Sequence, residues 1–418
     1  MEKFIRPAAI DGAITAPSSK SDMLRAVAAA YLTGAACELL RPSYCDDALA
    51  ALHIVETLGA DVTRAPERVT LAPSARQPGT RLDCGESGLC IRMFPAIAAR
   101  SAQPVTLTGR GSLLTRPLAM LEQPLRALGV ACVTANGLPP LTVQGPFRAG
   151  KTAIDGSITS QFLTGLLMAL PLCDGDSELL VTNLTSKPYI AMTLSLLEKF
   201  GVRVVNENFE RFAIPGNQAY QARTHQVEGD WSGAAFPLVA GAIAGRVTVN
   251  NLQQDSLQAD AAILDALRRA GAEVEIAGDA VTVRRSRLAG FEFDATNCPD
   301  LFPPLVALAA CCDGKSVIHG AQRLAVKESD RGLALRQEFS NIGGTIDLFA
   351  DRMEIFGHPL DGGAIDSHHD HRIAMACAVA AIRSARGVAI HGAECVAKSY
   401  PKFFEDLQQL MQYGAEKD

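Results

Sequence analysis

The stretch Leu194-Ser-Leu-Leu-Glu-Lys-Phe-Gly201-Val-Arg-Val204 decides the reading of this chain, because its pattern occurs six times. Leu194, Leu197 and Phe200 stand seven, four and one residues before Gly201, the spacing of one buried helical face, and the glycine reads as the helix C-cap. The equivalent glycines are Gly59, Gly129, Gly201, Gly271, Gly343 and Gly414, separated by 70, 72, 70, 72 and 71 residues. One residue before them stand Leu58, Leu128, Phe200, Ala270, Ile342 and Tyr413, of which only Ala270 matches weakly. Four before stand Val55, Leu125, Leu197, Leu267, Phe339 and Leu410. Seven or eight before, Leu52, Leu121, Leu194, Leu264, Leu335 and Leu407 complete the face.

The sequence after each glycine recurs as well. Ala60-Asp-Val62, Val202-Arg-Val204 and Ala272-Glu-Val274 open β-like runs, and about thirty residues on comes a segment polar at its start and apolar afterwards, as in Gly85-Glu-Ser-Gly-Leu-Cys-Ile-Arg92. That segment predicts a second, more buried helix. A unit of about 71 residues is too long for an ordinary solenoid repeat and large enough to hold its own sheet, so the expectation is α/β units around shared cores.

A chain of 418 residues with 48% hydrophobic content exceeds the usual size of one core, and two domains of three repeats is the natural division. The longest apolar stretches, around Phe236 to Ala244 and Leu305 to Cys312, are too short to span a bilayer, and the N-terminus lacks a signal-peptide core. The expectation is a cytoplasmic protein, with a monomer as the plain case. Eleven cysteines without C-x-x-C spacing fit reduced core thiols better than a disulfide framework, and adjacent Cys311-Cys312 reads as packing.

The last glycine has no strands after it, whereas the first fifteen residues, with Phe4-Ile-Arg-Pro and Ile10-Asp-Gly-Ala-Ile14, resemble the tail of unit five at Phe356-Gly-His-Pro-Leu-Asp-Gly-Gly-Ala-Ile365. Residues 1–15 are therefore expected to complete a domain with 229–418, leaving 16–228 as an inserted domain. The chain would cross twice, near 15–19 and 225–229, as a double hinge.

Measured from the glycines, the polar residues fall at two phases. The first, 27 to 33 residues past the glycine, holds Arg92, Ser160, Gln161, Asp230, Asp300, Asp370 and Arg372, and Lys20 falls there too. The second, 11 to 17 residues before it, holds Asp46, Asp47, Arg116, Ser186, Lys187, Asp255, the run Lys327-Glu-Ser-Asp-Arg331, and Lys398. Helix N-termini offer free N–H groups and partial positive charge, each worth only about 0.3–1 kcal/mol when exposed, so fixed cations are needed for strongly charged ligands. Lys20, Arg25, Arg92, Arg116, Lys327, Arg331, Arg372 and Lys398 supply them. A net charge of −6 argues against nucleic acid or a membrane as partner and leaves small anionic molecules.

Three segments have a bland reading beside the functional one. Pro17-Ser-Ser-Lys-Ser21-Asp-Met-Leu-Arg25 suits phosphate, or is an ordinary serine N-cap. Val326-Lys-Glu-Ser-Asp-Arg331 is a charge cluster for a ligand, or a solvated helix start with local ion pairs. His368-His-Asp-His371-Arg372 invites a metal, yet adjacent histidines diverge and no further ligand stands at zincin spacing, so neither a metal nor a cofactor is expected. No nucleophile elbow, P-loop lysine or dinucleotide fingerprint appears.

Taken together, Ser19-Lys-Ser-Asp-Met-Leu-Arg25, Asp155-Gly-Ser-Ile-Thr-Ser-Gln-Phe162, Ser186-Lys-Pro-Tyr189, Val227-Glu-Gly-Asp230, Val326-Lys-Glu-Ser-Asp-Arg331, Asp370-His-Arg372 and Lys398-Ser-Tyr-Pro401 resemble the 5-enolpyruvylshikimate-3-phosphate synthase family over nearly the whole length. The resemblance implies a two-domain inside-out α/β barrel of six βαβαββ repeats, with the active site in the cleft between domains that close over it. It implies enolpyruvyl transfer from phosphoenolpyruvate to the 5-hydroxyl of shikimate 3-phosphate, in aromatic amino acid biosynthesis, at the site that glyphosate targets in the family. By motif, shikimate 3-phosphate would meet Lys20, Ser21, Arg25, Thr159, Ser160, Gln161, Ser186, Asp300 and Lys327, chiefly on the 16–228 side. Phosphoenolpyruvate would meet Lys20, Gly88, Arg116, Gln161, Arg331, Arg372 and Lys398. The implied acid–base residues are Lys20 and Glu328 for the methylene proton and Asp300 for the hydroxyl proton.

The chain departs from the family's Asn-Ala-Gly-Thr type run at Gly85-Glu-Ser-Gly-Leu-Cys90, where Glu86 and Leu89 are the odd residues, and Arg323 stands where several members carry Asn. The sister transferase acting on UDP-N-acetylglucosamine usually has Asn after the site lysine and a cysteine in a mobile loop. Here Ser21 follows Lys20, and Gly109-Arg-Gly-Ser-Leu-Leu-Thr-Arg116 holds no cysteine. A non-catalytic anion-binding relative would be expected to lose Lys20, Asp300 and Glu328 first, and all three are present.

Overall fold

A computed structural model describes residues 1–412, so Tyr413 and Gly414 of the sixth repeat lie outside the described residues. Twelve α-helices occur among the described residues: α1 (Lys20–Leu32), α2 (Asp46–Thr57), α3 (Gly88–Ala98), α4 (Glu122–Ala127), α5 (Gln161–Ala169), α6 (Lys187–Lys199), α7 (Trp231–Ala244), α8 (Ile263–Arg269), α9 (Phe302–Ala310), α10 (Arg331–Asn341), α11 (His371–Ala381) and α12 (Phe403–Leu410). The five even-numbered helices from α2 to α10 each end two residues before a glycine of the series. Those glycines take φ of +101°, +82°, +77°, +92° and +93°, which an L side chain enters only under strain. At Gly201 the glycine N–H donates to the Glu198 carbonyl at 3.0 Å and the Val202 N–H to the Leu197 carbonyl at 2.9 Å, the double bond of a Schellman cap. Gly129, Gly271 and Gly343 repeat it, so the apolar residue four before the glycine also supplies the carbonyl that the cap closes on.

The sixth helix differs. α12 stops at Leu410, and Met411–Gln412 pair antiparallel with Ala9–Ile10. The open edge of the strand Ala9–Thr15 offers a ladder partner that the other five helix ends do not meet.

The odd-numbered helices are the buried ones. Every residue of α3, α7, α9 and α11 is buried, and α7, α9 and α11 pack against one another, as α3 does against α5. Close approach of α5 to α3 depends on Gly165, where a Cβ would run into the Met93 backbone. Six sheets accompany the helices among the described residues, built to one plan in which two strands pair in parallel and antiparallel strands extend the ladder. For example, Arg81–Asp83 runs parallel to Val105–Thr108, which pairs antiparallel with Leu138–Gln144, and that strand with Ala131–Ala135.

The chain divides into two compact units, Lys20–Val227, and Met1–Ser19 together with the chain from Glu228 onward. Each has its own apolar core. Glu2–Ile5 pairs antiparallel with Val388–His391, and Ala9–Thr15 lies parallel to Gly245–Asn250. Backbone bonding within the unit that holds Met1–Ser19 continues past Thr15. The Ala16 N–H donates to the Asn250 carbonyl at 3.0 Å, and the Ser19 N–H to the Glu228 carbonyl at 2.7 Å. The eleven cysteines are free, nine of them buried, and no helix among the described residues is long and apolar enough to cross a membrane.

Candidate active site

In the unit Lys20–Val227, three buried helices and the ends of two outer ones supply the polar side chains. Lys20 opens α1, and its Nζ lies 3.0 Å from Asp47 Oδ2 near the start of α2, both side chains mostly buried. Arg92, one turn into α3 and buried, donates to Gln161 Oε1 at 2.9 Å and to the Pro117 carbonyl at 3.2 Å. Gln161 opens α5, its N–H donating to Thr159 Oγ1 at 3.2 Å. A Cβ on Gly88 would stand 2.5 Å from the Arg116 guanidinium, so glycine at that position is what makes room for Arg116. Ser160 and Ser186 are buried at the starts of α5 and α6, with Ser186 in the left-handed region at φ +56°. Ser21 and Thr159 are half-buried.

Arg25 lies deeper than its motif implies. Its Nε donates to Thr193 Oγ1 at 2.9 Å, Nη1 to the Ser21 carbonyl at 2.8 Å and Nη2 to the Tyr189 carbonyl at 3.3 Å, which ties α1 to α6. Burial pushes its pKa down to about 10, with Tyr189 and Asp22 opposing that shift. Glu86, the unusual carboxylate of the glycine-rich run, accepts from the Ser112 N–H at 3.3 Å and from Ser112 Oγ at 3.1 Å. It thereby holds the loop that leads to Arg116.

The other unit concentrates charge on one carboxylate. Asp300, in a turn just before α9, accepts from Lys327 Nζ at 3.2 Å and Arg331 Nη1 at 2.7 Å through Oδ1, while Oδ2 lies 3.2 Å from Arg372 Nη2. Arg331, fully buried at the start of α10, also donates to Glu328 Oε2 at 2.5 Å and to Asp370 Oδ2 at 2.7 Å. Asp370 caps α11, accepting the Arg372 N–H at 3.0 Å. Arg372 then donates from Nη1 to His371 Nε2 and from Nη2 to Ser232 Oγ, both at 2.6 Å. Lys398, buried, points its Nζ at the His369 carbonyl at 3.4 Å.

The electrostatics follow from that packing. Burial raises the Asp300 pKa, but Arg372, Lys327 and Arg331 outweigh it and hold the carboxyl well below the usual range. Burial lowers the Arg331 pKa, and Asp370, Glu328 and Asp300 more than reverse it. Lys327 is pulled down by burial, which Asp300 opposes. Asp260 goes the other way: burial first, then the neighbouring Asp300 charge, push it up to about 7 against Arg372 and Ser232.

The structure thus gathers Lys20, Gly88, Arg116 and Gln161 with Ser21, Arg25, Thr159, Ser160 and Ser186 in one unit, and Asp300, Lys327, Glu328, Arg331, Arg372 and Lys398 in the other. Sequence reasoning left Asp47, Asp260 and Ser232 without roles. Asp260 stands 11 residues before Gly271 and Asp255 stands 16 before it, both inside the second phase; Asp255 is exposed and Asp260 buried. Arg323, left unassigned, is buried near Lys327.

Comparison with known proteins agrees over the whole fold. Residues 5–407 match the EPSP synthase (3-phosphoshikimate 1-carboxyvinyltransferase) family. A 3-phosphoshikimate 1-carboxyvinyltransferase of Clostridium novyi is 38% identical, covering 97% of this chain and 96% of that relative. One from Methanocella arvoryzae is 39% identical, with 96% of each covered. An EPSP synthase structure from Acinetobacter baumannii superposes with a TM-score of 0.83 at 27% identity, covering 98% of both chains. A family match over nearly all of the chain, on a fold whose repeats place the motif residues at equivalent helix starts, means that the chain belongs to the EPSP synthase (3-phosphoshikimate 1-carboxyvinyltransferase) family.

Proposed function

We propose that the side chains described above carry out the reaction for which the family is named, divided by role as follows. The chain transfers the enolpyruvyl group of phosphoenolpyruvate to the 5-hydroxyl of shikimate 3-phosphate and releases phosphate. Lys20 or Glu328 delivers a proton to the methylene carbon, and the resulting cationic C2 is attacked by the 5-hydroxyl, which gives up its proton to Asp300. The tetrahedral intermediate then breaks its bond to the phosphate oxygen and loses a proton from the new methyl group, restoring the double bond.

The observation that carries this reading is Asp300 among Lys327, Arg331 and Arg372. Their charge favours the ionised carboxylate, the form a general base needs. Arg116, Arg331, Arg372 and Lys398, with Lys20, Gly88 and Gln161, would bind phosphoenolpyruvate, since planar guanidinium forks suit carboxylate and phosphate. Ser21, Thr159, Ser160, Gln161, Ser186 and Lys327, with Lys20, Asp300 and Arg25, would receive shikimate 3-phosphate. Arg25 contributes chiefly by holding α1 against α6.

The test is phosphate release on incubation with both substrates, with UDP-N-acetylglucosamine as the control acceptor. Asp300→Asn, Glu328→Gln and Lys20→Met should each lower turnover by about 10²–10⁴-fold with folding preserved, the range for a lost general acid or base. Near-native phosphate release in a variant would remove that residue from the mechanism.

A further inference from the structure

Glu338 lies two turns beyond Arg331 on α10 and is 1% exposed. Its Oε1 accepts from His368 Nε2 at 2.7 Å, and its Oε2 from Asn341 Nδ2 at 2.9 Å and the Asp366 N–H at 3.1 Å. All these donors but Asn341 belong to the turn that enters α11. Within that turn the His368 N–H donates to Asp366 Oδ1 at 2.6 Å, and His368 and His369 take φ of +52° and +54°. Two consecutive left-handed non-glycine residues persist only where their surroundings fix them. On its other side the turn is held by Ser367, whose N–H donates to the His391 carbonyl at 3.0 Å and whose Oγ donates to the Gly392 carbonyl at 3.1 Å. Beside it an open groove of about 650 Å³ is lined by Gln337, Asn341, Ile365, His369 and His391 among others. The hydrogen bonds to Glu338 are what tie the turn to α10 on that side.

The residue that follows is Asp370, which caps α11 and holds Arg331. One helix, α10, therefore grips the turn at both ends, by Arg331 on Asp370 and by Glu338 on Asp366 and His368. We propose that Glu338 is a positioning residue of the active site, keeping the Asp366–His369 turn in its left-handed path so that Asp370 meets Arg331 and Arg372 stands at its place on α11. The proposal rests on the assignment of Arg331 and Arg372 to phosphoenolpyruvate. Loosening the turn should then weaken that substrate and spare the other.

Glu338→Gln keeps the shape but opposes one of three donors with another donor, and it should raise the KM for phosphoenolpyruvate about tenfold while the KM for shikimate 3-phosphate stays within about twofold. His368→Asn, which tolerates the left-handed region and keeps a donor, should behave nearly as the native protein, whereas His368→Val should share the Glu338→Gln defect. These two variants test the idea even if Glu338→Gln does not fold. Equal changes in both KM values, or none, at similar thermal stability would overturn the proposal, as would a His368→Val enzyme with native KM values. Arg372→Gln, run alongside, separates the two failures. If it leaves the KM for phosphoenolpyruvate unchanged, the underlying assignment falls and the proposal with it. If Arg372→Gln raises that KM and the turn variants do not, the positioning role alone is wrong.

Discussion

Arg25 and Arg331 are both buried arginines near a helix start, one in each unit, and they are pushed in opposite directions. Arg25 donates to a threonine hydroxyl and two carbonyls, so desolvation dominates and its pKa falls to about 10. Arg331 donates to three carboxylates, which overcome the same desolvation and hold it charged. The neutral oxygens around Arg25 leave it a tie between α1 and α6. Arg331 fixes the placement of Glu328, Asp370 and the ionised Asp300 in addition to the part proposed for it at phosphoenolpyruvate. The contrast is between a cation that holds two helices together and one embedded in a carboxylate cluster.

The widest gap should appear when each arginine is removed. Arg331→Met leaves three carboxylates facing one another in a buried place, and breaking a buried charge cluster in this way costs about 3–5 kcal/mol. Arg25→Met strands neutral acceptors, which costs about 1–3 kcal/mol. Urea unfolding of the two variants should place Arg331→Met well below Arg25→Met in midpoint. Equal losses would mean that the carboxylates around Arg331 find other partners and that the contrast is not structural.

A smaller effect should come from Asp47, a close carboxylate partner of Lys20. Asp47→Asn keeps the shape of the contact but removes the carboxylate that holds the Lys20 Nζ in place. If that contact positions Lys20 for proton delivery, turnover at pH 7 should fall about tenfold or less. Native turnover in Asp47→Asn would show that the ion pair does not position the donor.

The contrast between the units was only partly legible in the sequence. The fold was legible because its signal is repeated: a C-cap glycine and an apolar face recur with enough regularity that a weak position such as Ala270 does not hide them. The motif residues were legible for a related reason, since the same phase of each repeat falls at the same helix end. What could not be read is whether a cation is compensated. Nothing local to Arg25 announces Thr193, 168 residues away, and nothing local to Arg331 announces Asp370, 39 residues on. Phase alone also could not choose between Asp255 and Asp260, because both lie in the window and only tertiary burial separates them. Glu86 reads as an odd residue in its motif, yet its partner is the backbone and hydroxyl of Ser112, a contact made by the return of the loop.

Asp260 gives the finest test of the carboxylate-rich frame. Desolvation and the nearby Asp300 charge raise its pKa to about 7, against about 3.9 in an unfolded chain. Between about pH 4 and 7 the native protein therefore holds a proton that the unfolded chain has released, so this group's contribution to stability falls as pH rises through that window and levels above it. Asp300 has the opposite sign: its depressed value contributes stability above about pH 4 that is lost as the pH falls further. The two windows do not overlap, so Asp260→Asn should flatten the decline of the urea midpoint between pH 4 and 7 and leave the acid limb below pH 4 in place. If the decline persists in Asp260→Asn, the proton resides elsewhere in the cluster, and Asp260 is held ionised by Arg372 in the manner of Asp300.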